Sequence, residues 1–236
     1  MIILPKKRIL LIVTCVVVSI FTYLLGANRN NEIIQTVSLP VTGKVVILDA
    51  GHGGEDEGAQ SQNGTTEADT NLKIALKVQH LLEQAGCTVI LTRSDENAIY
   101  DESAKTLKEK KVSDIKNRVK IGNESSADIF VSIHLNKIPQ RQYYGWQTFY
   151  KDGNEQGKKL ATCIQNNLNE SIQKENNRVP LKIDNVYIIK NVQIPTAIVE
   201  CGFLSNEQEE KELLTDAYQT RLAWGIYTGI INYFYE

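Results

Sequence analysis

Residues 44–54 read Lys-Val-Val-Ile-Leu-Asp-Ala-Gly-His-Gly-Gly. A short run of β-branched and apolar residues, closed by a small residue and a glycine-rich loop, is the pattern of a buried strand delivering its C-terminal end to a turn. The rest of the chain repeats the theme. A helix is expected over 67–85, where Leu72, Ala75, Leu76, Leu81 and Leu82 lie near helical spacing. Thr66 with Asp69 three residues later forms an N-terminal capping signature, and Gly86 suits the stop. Further strands are expected at 87–92, 128–134, 145–150 (edge-like), 186–189 and 196–200. Helices are expected over 101–123 and 154–173, with one or two more over 207–234. Strands alternating with helices make an α/β fold, a single mostly parallel, mixed sheet with helices on both faces. In such sheets ligands bind beyond the carboxyl ends of the strands, so site residues should fall just after strand runs.

Working outward to the N-terminus, the character changes. Lys6, Lys7 and Arg8 precede an uncharged stretch over 9–25, Ile-Leu-Leu-Ile-Val-Thr-Cys-Val-Val-Val-Ser-Ile-Phe-Thr-Tyr-Leu-Leu. About 17 apolar residues is just enough for a helix to cross a hydrocarbon core, and the basic flank places the N-terminus in the cytoplasm and the remainder outside. Residues 1–27 are therefore read as a transmembrane signal anchor, with a cleaved signal peptide as the rival because Gly26 and Ala27 offer a small-residue cut. Residues 28–42 read as a tether, and 43–236 as the catalytic domain.

Of 236 residues, 42% are hydrophobic and 23% charged, ordinary for a chain that buries a core. Outside the first 27 residues, 23 basic groups face 28 acidic ones, with no basic stripe, which excludes nucleic acid as the expected partner. The four cysteines contain no Cys-x-x-Cys pair; beyond Cys15 there are three, an odd count that cannot complete a disulfide framework. Buried free thiols are expected.

Only three histidines are present. His52 follows the first strand, His134 closes the third, and Glu200 ends the last in Ile-Val-Glu-Cys-Gly. Glu67 lies in the first turn of the first long helix. His80 falls inside that helix and reads as a surface or packing residue. Two imidazoles and two carboxylates can thus converge at one edge of the sheet. A catalytic zinc takes three protein ligands and leaves a position open for water; two His and one Glu suffice, and the other Glu is free to move protons. Each residue also has a bland reading: Gly-His-Gly-Gly as a turn, His134 as a hydrogen-bonded core residue, Glu67 as a charge favoured by the helix dipole. Glu200 is harder to dismiss, since burying an unpaired carboxylate is costly.

Five segments resemble the zinc N-acetylmuramoyl-L-alanine amidases of bacterial cell walls, of the amidase 3 type. They are 46–54 (Val-Ile-Leu-Asp-Ala-Gly-His-Gly-Gly), 66–72, Leu91-Thr-Arg93, 127–136 and 195–206, in the family's order. The resemblance implies Zn2+ on His52, Glu67 and His134, with Glu200 as the catalytic carboxylate. It implies cleavage of the amide between the lactyl group of N-acetylmuramic acid and the L-alanine of the stem peptide. Lys137 and Ala68 stand where the family often has Ala and Lys; neither change removes a ligand. An anchor plus one catalytic domain, without wall-binding repeats, looks most like the germination-specific, spore-cortex amidases of endospore formers, whose cut precedes muramic-δ-lactam formation.

Expected partners are therefore peptidoglycan, the membrane through the N-terminal helix, and an accessory protein needed for activity; the expected location is extracytoplasmic, between the membranes of a developing spore. Two rival functions remain. One is a Cys-His hydrolase with Cys201 as nucleophile and His134 as base, although neighbouring strand residues point to opposite faces. The other is a non-catalytic cell-wall-binding module. A zinc deacetylase on the same polymer would differ in releasing acetate. Arg93 and Arg118 read as structural salt-bridge residues before substrate ligands.

Overall fold

The computed structural model describes residues 6–29 and 39–235. Helix α1 (Lys6–Arg29) belongs to a unit of its own, Met1–Ser38, and the rest of the chain, Leu39–Glu236, forms a second compact unit. No helix among the described residues is long and apolar enough to cross a membrane. The expected transmembrane helix is thus not supported. Most of the expected tether, residues 30–38, lies outside the described residues. Its last residues pack with the second unit, where Val41 is fully buried and Thr42 Oγ1 donates to the Ala85 carbonyl.

The second unit runs β1 (Val45–Ala50), α2 (Glu67–Gln84), β2 (Thr88–Leu91), α3 (Leu107–Glu124), β3 (Ile129–Asn136), β4 (Gln147–Tyr150), α4 (Glu155–Ile172), β5 (Leu181–Lys182), α5 (Tyr187–Asn191), β6 (Thr196–Phe203), α6 (Glu207–Leu213) and α7 (Asp216–Tyr235). The six strands form one sheet in the order β2-β1-β3-β6-β4-β5. The pairs β1–β2, β1–β3, β3–β6 and β4–β5 are parallel; β4 runs antiparallel to β6. This is the mixed, mostly parallel sheet that the alternation of segments predicts.

The period-two rule sorts the core. Val46, Leu48 and Ala50 of β1 face Ile74, Val78 and Leu82 of α2 and the packed pair α4 and α7. Ile47 points the other way, into a smaller cluster with Phe130, Val119 of α3, and Ile188 and Val192 at α5. Helices therefore cover both faces. Thr66 caps α2 by accepting from the Asp69 N–H at 3.4 Å, and Gly86 terminates it with φ +84°.

Three expectations are corrected. Residues 186–189, read as a strand, begin α5. Short apolar runs do not settle their period by themselves; here Ile188 and Val192, four apart, share a stripe against α3, and both flanks of β6 are already filled by β3 and β4. The strand within 145–150 is not the sheet's edge, because the two-residue β5, which the sequence reading missed, lies outside it. The helix expected from 101 starts at Leu107, behind a full capping box of Thr106 and Glu109.

Candidate active site

The chain leaves β1 through Gly51 and enters a loop whose shape is set by main-chain anchoring. Arg118, on α3 and 2% exposed, donates through Nη1 to the Ala50 carbonyl (2.7 Å) and through Nη2 to the His52 carbonyl (2.6 Å). Arg93 donates through Nε to the Ala50 carbonyl (2.8 Å), and its Nη2 reaches the carbonyls of Gly51 (3.2 Å) and Ala68 (2.7 Å). Asn71 Nδ2 adds a bond to the Gly51 carbonyl at 3.1 Å. So held, His52 adopts φ 63°, a left-handed conformation uncommon outside glycine and sustained where surrounding contacts over-determine it.

Beneath this loop lies a buried ionic cluster. Arg118 meets Asp49 Oδ1 at 2.6 Å and Asp114 Oδ2 at 2.7 Å, and Asp49 also accepts from Ser132 Oγ (2.5 Å) and Thr92 Oγ1 (2.7 Å). Burial pushes the Asp49 carboxyl up, but Arg118 and the two hydroxyls outweigh it and hold it below its ordinary value. Arg118 thus makes the structural salt bridge that the sequence reading favoured, whereas Arg93 bonds main-chain carbonyls and, among the described residues, pairs with no carboxylate.

Three of the expected residues meet above the cluster. His134 Nδ1 lies 2.9 Å and His52 Nε2 3.3 Å from the same oxygen, Glu67 Oε1. One donor atom from each of His52, Glu67 and His134 falls within 4.8 Å of the other two, the only such group among the described residues. The carboxylate of Glu67 is fixed by main-chain donors, Leu135 N–H to Oε1 (3.1 Å) and Ala59 N–H to Oε2 (2.8 Å). A Cβ at Gly51 would stand 2.2 Å from His134 Cε1, and one at Gly58 2.6 Å from Glu67 Oε2, so neither position can carry a side chain.

Asp56 escaped the sequence reading, although its place four residues after His52 was a usable signal. Its Oδ2 lies 3.0 Å from His52 Nδ1, which fixes the ring and leaves Nε2 toward Glu67. Burial alone would lower the His52 pKa; hydrogen bonds to Asp56 and Glu67 outweigh it and raise the value to about 9. Against their burial, hydrogen bonds from His52 and Lys111 hold the Asp56 carboxyl, and those from His134 and His52 hold the Glu67 carboxyl, well below the ordinary carboxylate range. This centre demands positive charge. A divalent cation satisfies that demand, and two imidazoles with a carboxylate form a donor set that suits zinc and leaves a coordination position open. Asp56 on the far nitrogen of His52 is the kind of outer partner that orients metal-ligating histidines.

Glu200 sits on β6 directly paired with His134 of β3, so the two side chains share one face of the sheet. Its Oε2 is buried without a hydrogen-bond partner, and burial pushes its pKa up to about 7, where it can both take and return a proton near neutrality. Cys201, one residue on, points into the core. It is fully buried, and burial raises its thiol pKa far above the ordinary value, which leaves the cysteine-nucleophile reading without a thiolate. His80 is exposed on α2, 3.0 Å from Gln84 Nε2, and takes no part.

Known proteins resemble this chain in sequence and fold. The germination-specific N-acetylmuramoyl-L-alanine amidase of Bacillus subtilis is 38% identical over 207 residues, covering 88% of this chain and 86% of that protein. The structure of the CwlD amidase from Clostridioides difficile, in complex with the GerS lipoprotein, superposes with a TM-score of 0.79 at 47% identity, covering 80% of this chain and 98% of that one. The catalytic domain of CwlV, an amidase of Bacillus (Paenibacillus) polymyxa, gives a TM-score of 0.69 at 32% identity, covering 80% and 97%. Residues 46–232 match the profile of the family described as N-acetylmuramoyl-L-alanine amidase, so nearly the whole second unit, from β1 into α7, is accounted for, and the chain belongs to that amidase family.

Proposed function

We propose that this protein is a zinc-dependent amidase that cuts peptidoglycan between the lactyl group of N-acetylmuramic acid and the L-alanine of the stem peptide. The observation that carries the reading is the meeting of His52, Glu67 and His134 beside Glu200, the partner of His134 across β3 and β6. His52, Glu67 and His134 would hold the zinc, which when bound supplies an acidified water and a Lewis acid for the amide carbonyl. Glu200 accepts the proton of the attacking water as the new C–O bond forms at the lactyl carbon. The same carboxyl then gives that proton to the alanine nitrogen as the C–N bond breaks, leaving a muramic carboxyl group and a free peptide amine. Asp56 keeps the His52 ring aligned, and the carbonyl anchors from Arg93 and Arg118 keep the loop from drifting.

The spore-cortex role, with muramic-δ-lactam as the downstream product, is supported by the germination-specific relative and the CwlD amidase structure. That amidase's structure is of a complex with the GerS lipoprotein, which supports an accessory protein for this chain too. The basic cluster and the uncharged run over 9–25 support an extracytoplasmic domain tethered at residues 1–27, with 28–42 as the linker and 43–236 as the catalytic portion.

Purified full-length chain, loaded with zinc, should release peptides bearing free L-alanine amines from peptidoglycan, with no acetate. Acetate without peptide would assign it to deacetylation; tight polymer binding with no product would make it a wall-binding module.

A further inference from the structure

A cleft of about 340 Å³ is walled by the continuations of the segments that carry Glu67, His134 and Glu200. Gln62 and Asn63 lie just before Glu67, Lys137 and Arg141 just after His134, and Leu204 and Ser205 just after Glu200. The walls are tied together. The Ile138 N–H donates to Ser205 Oγ at 3.3 Å and the Leu204 N–H to the Asn136 carbonyl at 2.8 Å.

The cleft carries two cations, Lys137 and Arg141, and two carboxylates, Glu207 and Glu210, but no ion pair joins the two sets. Both carboxylates are committed. Glu210, 2% exposed, accepts from Asn63 Nδ2 and Thr65 Oγ1, each at 2.9 Å, and so fixes the loop leading to Glu67. Glu207 pairs with Lys211 at 3.0 Å. The two cations have no such partners. Lys137 donates only to the Gln60 carbonyl, and Arg141 Nη1 only to Gln62 Oε1 at 3.3 Å. Among the described residues neither has a carboxylate within ion-pair distance. Lys137 and Arg141 are exposed on one wall of the cleft with no such partner, so both charges are free to receive an anion from outside.

We infer that Lys137 and Arg141 form a carboxylate-binding subsite for the peptide half of the substrate. This inference rests on the amidase reading above and deepens it. The chemistry selects the peptide half: the lactyl carboxyl is consumed in the scissile amide and the sugars carry no anion, whereas the residues beyond L-alanine carry free carboxylates. Arg141 offers a planar fork suited to a carboxylate and Lys137 a mobile point charge. The pair would hold the peptide while its N-terminal amide lies at the zinc candidates.

The test measures binding apart from turnover. Full-length chain is titrated, with chelator present, with an N-acetylmuramyl tripeptide bearing free carboxylates and with its twin in which those carboxylates are amidated. The free form should bind about tenfold more tightly, with the preference weakening as salt rises. Each of Lys137→Ala and Arg141→Ala should lower affinity for the free form roughly three- to tenfold, as loss of one ordinary solvent-exposed hydrogen bond does, and the double substitution should erase the preference. Unchanged urea midpoints guard against misfolding. Equal binding of the two peptides by the native chain, no binding of either at millimolar concentration, or a preference surviving the double substitution would overturn the subsite. A zinc-loaded native chain that cuts both peptides with equal KM would sink the subsite alone, and one that cuts neither nor any peptidoglycan would sink the amidase reading.

Discussion

Arg118→Met probes the buried cluster under the site. The arginine neutralises Asp49 at 2.6 Å and Asp114 at 2.7 Å while holding the carbonyls of Ala50 and His52. Methionine refills much of the volume but leaves Asp49, fully buried, without its counter-charge. Removing one partner of a buried pair costs about 3–5 kcal/mol. Domains of this kind have a total stability of about 5–15 kcal/mol, so the loss is a large fraction. With a urea slope of about 1–3 kcal/mol per molar, the unfolding midpoint should fall by about 1 M or more at pH 7.

The pH dependence should also change sign. In the native chain Asp49 is held below its ordinary value, so its contribution is present above that value and fades as pH falls through the depressed one. Without Arg118, burial dominates and the carboxyl moves up. The variant is then most stable below the ordinary value of about 4 and weakens as pH rises through the raised one. The gap between native and variant should therefore narrow from pH 7 to pH 4.5. Asp49→Asn should destabilise the native chain yet restore about 2 kcal/mol to the Arg118→Met variant, by removing the stranded charge. A loss under about 1 kcal/mol at every pH, or no rescue by asparagine, would refute the reasoning.

Other perturbations address the chemistry and the pH response. Glu200→Gln should keep zinc but lose at least about a hundredfold in rate, because an amide cannot shuttle the proton; Cys201→Ser should cost stability and spare catalysis, and an active Glu200→Gln beside a dead, zinc-loaded Cys201→Ser would reverse the assignment. The chain should bind about one zinc, and atomic absorption should show occupancy collapsing in His52→Ala and His134→Ala; full occupancy in both would remove them as ligands, as normal occupancy in Glu67→Gln would remove Glu67. Glu209, buried and accepting from the N–H groups of Phe203 and Gly145, is pushed up to about 7 by burial, as is Glu200, and His52 is raised to about 9. All three raised groups contribute stability at low pH that is lost as pH rises through those values. The metal-free chain should therefore have a lower urea midpoint at pH 8.5 than at pH 5.5, and the opposite slope would contradict this.

The sequence made the strand ends legible because long parallel strands are continuous apolar runs and their C-terminal ends are marked by polar residues. His52, His134 and Glu200 could be named on that ground alone. Residues 186–189 were misread because four apolar residues fit either period, and only the filled flanks of β6 decide between them. Asn71 and Glu210 were not legible as site residues, and Asp56 was marked only by its spacing from His52. They act through hydrogen bonds to partners far away in the chain or on a turn whose shape is fixed only in three dimensions. Lys137 was visible as a departure from the family pattern, but its lack of a carboxylate partner depends on where Glu207 and Glu210 turn.

The arginine-anchored loop has a bearing on when the protein becomes an enzyme. Small zinc domains whose only scaffold is the ion collapse when it leaves. Here the backbone that presents His52 is clamped from below by Arg93 and Arg118, and Glu67 is gripped by amides of Ala59 and Leu135, none of which depends on an ion. Under the proposed zinc reading, folding and metallation would therefore be separate events: the chain would complete its fold as an inert socket, and the arrival of the ion would set the moment at which activity begins.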